Sequence, residues 1–189
     1  MLEFEKKFML SPEEYRILYQ AFDAPVHTQT NFYYDTQDLF YNSQGITCRI
    51  RAKDGRYKAT IKEHHLHTSE CSEERTMVVK NEYDTSLFKG MNLLLQGKLQ
   101  TARKKVNMHG GVCLALDRNL YLGLVDYELE MEYDSRFENS CDDALRIITR
   151  VLLEQGLPSS EEEFHNRMKY SRTKSERFFA QKIKIEGGA

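Results

Sequence analysis

The sequence predicts an α+β fold, antiparallel strands with helices packed against them. Three observations predict it. Several short stretches alternate between charged and apolar residues, which is the period of a strand. Beyond about residue 140 the apolar residues recur at helical spacing instead, and no repeat of roughly 20 to 50 residues runs through the chain.

The first strand, Leu2-Glu3-Phe4-Glu5-Lys6-Lys7-Phe8, sets Glu3, Glu5 and Lys7 on one face and Leu2, Phe4 and Phe8 on the other, with Lys6 as the exception. Ser11-Pro12-Glu13-Glu14 then has the residues of a helix start: a capping serine, a proline for the first turn and a glutamate that completes a capping box. Tyr15, Leu18, Tyr19 and Phe22 give that helix one apolar stripe, and Pro25 ends it. Residues 31 to 35 read as a short strand, followed by turns up to Gly45. In Ile46 to Lys53 the bases Arg49, Arg51 and Lys53 share a face. Asp54-Gly55 makes a hairpin turn, and Tyr57 to Lys62 sets Lys58 and Lys62 opposite Tyr57, Ala59 and Ile61.

A histidine-rich loop leads to a strand from about Ser69 to Lys80 whose register stays open, since Glu70, Ser72 and Glu74 share one face while Glu73 and Arg75 share the other. Thr85 to Leu95 has the pattern of a short helix, with Leu87, Met91, Leu94 and Leu95 as its apolar contacts. Strand patterns resume at Leu99 to Met108, Val112 to Asp117 and Val125 to Tyr133, the last carrying Asp126, Glu128, Glu130 and Glu132 on one face. Ser140 to Glu154 is a helix with Gly156 at its C-terminal cap, Ser159 starts another, and Lys174 to Phe179 belongs to a third.

Like charges two residues apart on one face repel unless cations or basic side chains neutralise them, so the direction of these faces decides the chemistry. In an open sheet they face water and form cross-strand ion pairs. In a closed barrel, for which about eight strands suffice, the apolar face lies outside under helices and the interior is charged. The second arrangement has a chemical use. Carboxylates are hard ligands for Mg²⁺ or Mn²⁺, while Arg and Lys clamp phosphate oxygens.

At 189 residues the chain is expected to form one domain over residues 1–189. Charged residues make up 30% of it, yet the net charge is only −2, with pI near 6.3. That balance argues against a nucleic-acid or anionic-membrane surface and for charge that is local. No secretory or membrane-spanning pattern is present, so a cytoplasmic protein is expected, monomeric or homodimeric, with its four cysteines reduced. His64, His65, His67 and Cys71 have no recognised zinc spacing and read as a solvated loop. The run Arg103-Lys104-Lys105 reads as a strand with both faces charged, and neither a Ser-His-Asp arrangement nor a Gly-rich phosphate loop is visible.

Glu3-x-Glu5-x-Lys7 resembles the signature of the CYTH superfamily, also called triphosphate tunnel metalloenzymes. The likeness extends to Tyr34-Asp35-Thr36, Arg49-x-Arg51, Thr60-Ile61-Lys62, Thr101-x-Arg103, Leu116-Asp117 and Asp126-Tyr127-Glu128-Leu129-Glu130, in family order over roughly residues 1 to 135, and to Lys174–Phe179. The resemblance implies a closed eight-stranded antiparallel tunnel with a charged interior and helices outside. It implies Glu3, Glu5, Glu128 and Glu130 as catalytic metal ligands, joined by Glu70 of the middle strand, with Glu74 as the alternative acid. It implies Lys7, Arg49, Arg51, Lys62 and Arg103 as phosphate-binding residues, with Lys174 or Arg177 adding a contact for which Lys169 and Arg172 compete. Mg²⁺ or Mn²⁺ is the implied cofactor and a small-molecule triphosphate the partner. The expected reaction is in-line attack of a metal-activated water on the terminal phosphorus, most simply of inorganic triphosphate. An adenylyl cyclase, a thiamine triphosphatase and a non-catalytic polyphosphate-binding module are the alternatives.

Overall fold

The computed structural model describes residues 4–64, 72–133, 138–157, 159–169 and 171–187. Glu3, Glu70 and the loop residues His65, His67 and Cys71 lie outside them. Eight strands form one antiparallel sheet: β1 (Phe4–Leu10), β2 (Val26–Asp35), β3 (Ile46–Lys53), β4 (Arg56–His64), β5 (Ser72–Val79), β6 (Leu94–Asn107), β7 (Cys113–Tyr121) and β8 (Leu124–Tyr133). The helices are α1 (Pro12–Ala21), α2 (Phe40–Ser43), α3 (Glu138–Glu154), α4 (Glu161–Lys169) and α5 (Lys174–Glu186). The α+β class is as the alternation predicts.

The strand order is β1-β8-β7-β6-β2-β3-β4-β5, and among the described residues no ladder joins β1 to β5. Hydrogen bonds therefore do not close the expected barrel. Strand number permits closure without forcing it, because the end strands must also share a register. Here β5 carries the exposed residues Glu73, Glu74, Arg75 and Thr76, the polar composition of an edge strand.

The chain divides into two compact units, Met1–His27, Ala102–Asn119 and Val125–Ser171 forming one, and Thr28–Thr101, Leu120–Leu124 and Arg172–Ala189 the other. In the first, Phe8 and Leu10 of β1, Leu114 and Leu116 of β7, and Leu129 and Met131 of β8 form one apolar face. It is covered by Ile17 and Leu18 of α1, Leu145, Ile148 and Leu152 of α3, and Phe164 of α4. The predicted capping box starts α1: Ser11 Oγ accepts from the Glu14 N–H at 3.2 Å, and the Glu14 carboxylate accepts from the Ser11 N–H at 2.6 Å. Arg167 of α4 donates to the same carboxylate at 2.8 Å, which ties α1 to α4. The two faces of β6 are charged, as expected. Lys104 turns away from Arg103 and donates from Nζ to the carbonyls of Tyr19 and Phe22 at 2.9 and 3.0 Å, capping the carbonyl end of α1.

In the second unit Tyr34, Cys48, Ile50, Ala59, Ile61 and Val79 form the apolar face, covered by Leu87, Phe88, Met91 and Leu93. These covering residues do not form the helix expected over Thr85 to Leu95. A single 3-10 turn at Ser86–Phe88 is followed by turn and irregular backbone until β6 begins at Leu94. Gly90 and Asn92 both take positive φ, 88° and 51°, a conformation that interrupts a helix. β2 begins at Val26, earlier than residue 31, since Val26, Thr28 and Thr30 are strand formers that alternation alone does not reveal.

Helix α5 differs from the expectation that helices cover only the apolar face. Its Phe178 and Phe179 pack on Tyr33, at ring separations of 4.9 and 5.8 Å, and Tyr33 lies opposite Arg49 in the β2–β3 ladder. Opposed residues share a face, so α5 lies on the charged one. Gly97 of β6 makes room for it: a Cβ there would stand 2.8 Å from Phe178 Cζ.

Candidate functional site

The alternation of β1, β6, β7 and β8 brings one set of carboxylates together in the first unit. The β1–β8 register sets Lys7 opposite Glu130 and Glu5 opposite Glu132. On that face Asp117 of β7 and Glu128 and Glu130 of β8 converge, with carboxylate oxygens within 4.8 Å of one another. Asp117 and Glu128 are 0% exposed and Glu130 6%, so this charged face is withdrawn from solvent and not the water-facing side of an ordinary sheet.

Arg103 of β6 stands among them. Its Nε donates to Asp117 Oδ1 at 2.7 Å and its Nη2 to Asp117 Oδ2 at 2.5 Å, while Nη2 also donates to Glu130 and Nη1 to Glu132 at 3.2 Å. Burial works against its charge, yet Glu130, Asp117 and Glu132 outweigh that and hold the guanidinium above its ordinary pKa. Lys105 donates to the other oxygen of Glu132 at 2.6 Å, and Lys7 pairs with Glu5 at 2.6 Å.

Oxygen-only ligands in this number suit a hard divalent cation of the Mg²⁺ or Mn²⁺ type. Asp117, Glu128 and Glu130 therefore fit the metal that the sequence implies.

The second unit collects bases. Arg49 and Arg51 of β3 share a face with Lys62 of β4, since the β3–β4 register sets Thr47 opposite Lys62 and Arg49 opposite Thr60. Glu74 of β5 lies opposite Lys62, which settles the open register of that strand. Lys62 Nζ stands 3.3 Å and Arg49 Nη2 4.0 Å from the Glu74 carboxylate. Burial alone would raise the Glu74 pKa, but Arg49 and Lys62 overcome it and hold the carboxyl below its ordinary value.

From α5, Ser175 Oγ accepts from Thr47 Oγ1 at 3.0 Å, which fixes the first helical turn on β3. Arg51 Nε donates to Asn31 Oδ1 at 2.9 Å. Lys174 and Arg177 act electrostatically on the Tyr33 hydroxyl together with Arg49 and Arg51.

A family model of the CYTH domain matches residues 1–164. The chain belongs to the CYTH family. The Bacillus subtilis (strain 168) protein named "Putative triphosphatase YjbK" is 28% identical over 152 residues, 69% of this chain and 77% of that one. Solved structures resemble the fold, two of them as follows. A Bacillus halodurans protein described as a "putative adenylate cyclase" superposes with a TM-score of 0.64 at 22% identity, covering 95% of this chain and 100% of its own. The Hippeastrum protein HpAC1, a "putative adenylyl cyclase" described as revealing a dominant triphosphatase activity, gives 0.63 at 20% identity, covering 87% and 95%.

Within this CYTH chain Glu5, Lys7, Arg103, Glu128 and Glu130 lie in the first unit, and Arg49, Arg51, Lys62, Lys174 and Arg177 in the second. Arg103 is set among the carboxylates of Asp117, Glu130 and Glu132. Of the two residues competing with Lys174 and Arg177, Arg172 offers its carbonyl to Arg177 Nη1 at 2.6 Å, and Lys169 is the last residue of α4. Asp117 has no role in the sequence reading beyond its place in Leu116-Asp117. The signal was present: it is a lone acid in a strand otherwise apolar from Val112 to Leu116.

Proposed function

We propose that this CYTH protein is a divalent-metal-dependent triphosphatase, with inorganic triphosphate as its substrate. The observation that carries this reading is the convergence of the buried carboxylates of Asp117, Glu128 and Glu130. The family and the triphosphatase name of the Bacillus subtilis relative support the reaction class. Asp117, Glu128 and Glu130 would hold the ion, with Glu3 and Glu5 of the family signature adding to them. A divalent cation bound there supplies charge neutralisation for the phosphoryl oxygens and an acidified water.

Arg49, Arg51, Lys62, Lys174 and Arg177 take the phosphate oxygens, Arg through its paired donors, and Lys7 extends that set. The contacts above use four of the five N–H donors of Arg103, so its part is to orient Asp117 and Glu130 more than to grip phosphate. A single domain over residues 1–189, a closed charged tunnel and a cytoplasmic location belong to the same reading. No helix among the described residues is long and apolar enough to cross a membrane.

The test is to supply triphosphate, ATP or thiamine triphosphate with Mg²⁺ or Mn²⁺ and measure phosphate, pyrophosphate and cyclic AMP. Phosphate release from triphosphate that is lost on chelation is expected. Pyrophosphate with cyclic AMP from ATP, or full activity in a Glu130→Gln variant, overturns the assignment.

A further inference from the structure

Five buried side-chain polar atoms among the described residues have no hydrogen-bond partner, and four of them lie together: Gln29 Nε2, Asn31 Nδ2 and Tyr33 OH on β2, and Arg49 Nε on β3. Their placement is ordered. Gln29, Asn31 and Tyr33 are alternate residues of one strand and share its charged face, and Arg49 lies directly opposite Tyr33. An unbonded buried donor is destabilising, so folded chains rarely keep several side by side.

The four atoms also agree in chemical sense. Asn31 Oδ1 is occupied by Arg51 Nε, which fixes the amide so that its NH₂ is the end without a partner. The Tyr33 ring is held by Phe178 and Phe179, so its hydroxyl cannot swing away to find one. Around that hydroxyl stand the cations Arg49, Arg51, Lys174 and Arg177, which offer donors and no acceptor. The ligand that satisfies all four is an acceptor. Same-face residues on a strand repeat every ~6.7 Å, so Gln29 to Tyr33 spans roughly 13 Å, which suits an elongated acceptor better than a compact one.

We infer that Gln29, Asn31 and Tyr33, with Nε of Arg49, form a donor row that binds the oxygens of a linear condensed phosphate. This deepens the triphosphatase reading and rests on it. The cations supply charge neutralisation, and the uncharged donors supply position along the chain, so affinity rises from monophosphate to pyrophosphate to triphosphate.

The test uses the whole protein with a chelator present, so that neither turnover nor the metal centre contributes. Thermal unfolding and calorimetric titration are followed with inorganic phosphate, pyrophosphate and triphosphate. Tyr33→Phe removes only the partnerless hydroxyl, so the ligand-free variant should melt higher than wild type, by roughly 2–4 °C. It should also bind triphosphate roughly tenfold more weakly. Gln29→Met supplies the same pair of readouts at the other end of the row. Wild-type protein that binds triphosphate alongside variants that bind it equally well, or that melt lower without ligand, overturns the donor row alone. Wild-type protein that binds no triphosphate under chelation also overturns the donor row, whereas the triphosphatase reading falls only if triphosphate is not hydrolysed with Mg²⁺ or Mn²⁺ present.

Discussion

The carboxylate cluster and the basic cluster are built by the same device, charged residues at alternate positions of neighbouring strands, and end in opposite electrostatic states. Arg103 donates to the carboxylates of Asp117, Glu130 and Glu132. Around Tyr33 stand Arg49, Arg51, Lys174 and Arg177, Arg49 and Lys62 pair with Glu74, and Arg49 keeps an unbonded Nε. One cluster is built mainly of carboxylates and the other mainly of bases. A chain that needed only stability would have mixed the signs within each cluster. Keeping them apart is the arrangement expected where a cation and a polyanion are to be taken up.

The largest expected effect tests the first half of that contrast. Asp117→Asn should lower metal-dependent triphosphate hydrolysis roughly 10²–10³-fold at saturating Mg²⁺ or Mn²⁺, a loss typical of removing one key electrostatic group. Unchanged kcat would show that the carboxylates are structural.

Next, the two arginines should differ in their effect on stability. Arg103→Met leaves buried carboxylates uncompensated and should cost about 3–5 kcal/mol in urea unfolding, part of it recovered by added divalent cation. Arg49→Met removes a base whose Nε has no partner and whose Nη2 stands 4.0 Å from Glu74, and should cost less than Arg103→Met. Equal losses would erase the distinction between the clusters.

Lys104→Met is a control on the opposite face of the same strand. It removes two charge-assisted bonds to the end of α1 and should cost about 1–2 kcal/mol with no change in metal affinity.

The smallest effect concerns pH. Arg49 and Lys62 hold Glu74 below its ordinary value despite its partial burial, so its folded pKa lies below its unfolded one. The resulting stability is present above the ordinary carboxylate range and is lost as pH falls through the folded value. Glu74→Gln should flatten that part of the acid limb of a stability–pH profile, and an unchanged limb would show that the pairing with Lys62 contributes nothing.

Much of this was legible in the sequence because alternation is a local property. Glu128 and Glu130 can be assigned to one face, and Arg49 and Arg51 to another, without knowing any partner strand. The capping residues Ser11 and Glu14 were legible for the same reason. What depended on pairing was not. The register of β5 stayed open because Glu73 and Arg75 make both of its faces polar, and only the ladder to Lys62 chooses between them. Arg103 declared a guanidinium but not which oxygens it would meet. Residues 85–95 carry apolar spacing that a tight turn satisfies as well as a helix. Phe178 and Phe179 gave no sign that their helix would lie on the charged face, since adjacent aromatics fit many surfaces. Asp117 formed no pattern by itself.

Gly97 shows how misleading a ranking of positions by intolerance can be. In a saturation mutagenesis screen residue 97 should tolerate almost nothing, because any side chain meets Phe178 and the backbone there takes a φ of 146° that L residues rarely adopt. It would score beside Asp117 and Glu130 and invite a chemical explanation it does not have. What selection guards at that position is an empty volume the size of a methyl group, and a smaller residue at 178 should relax the steric part of that constraint where no added metal or substrate could.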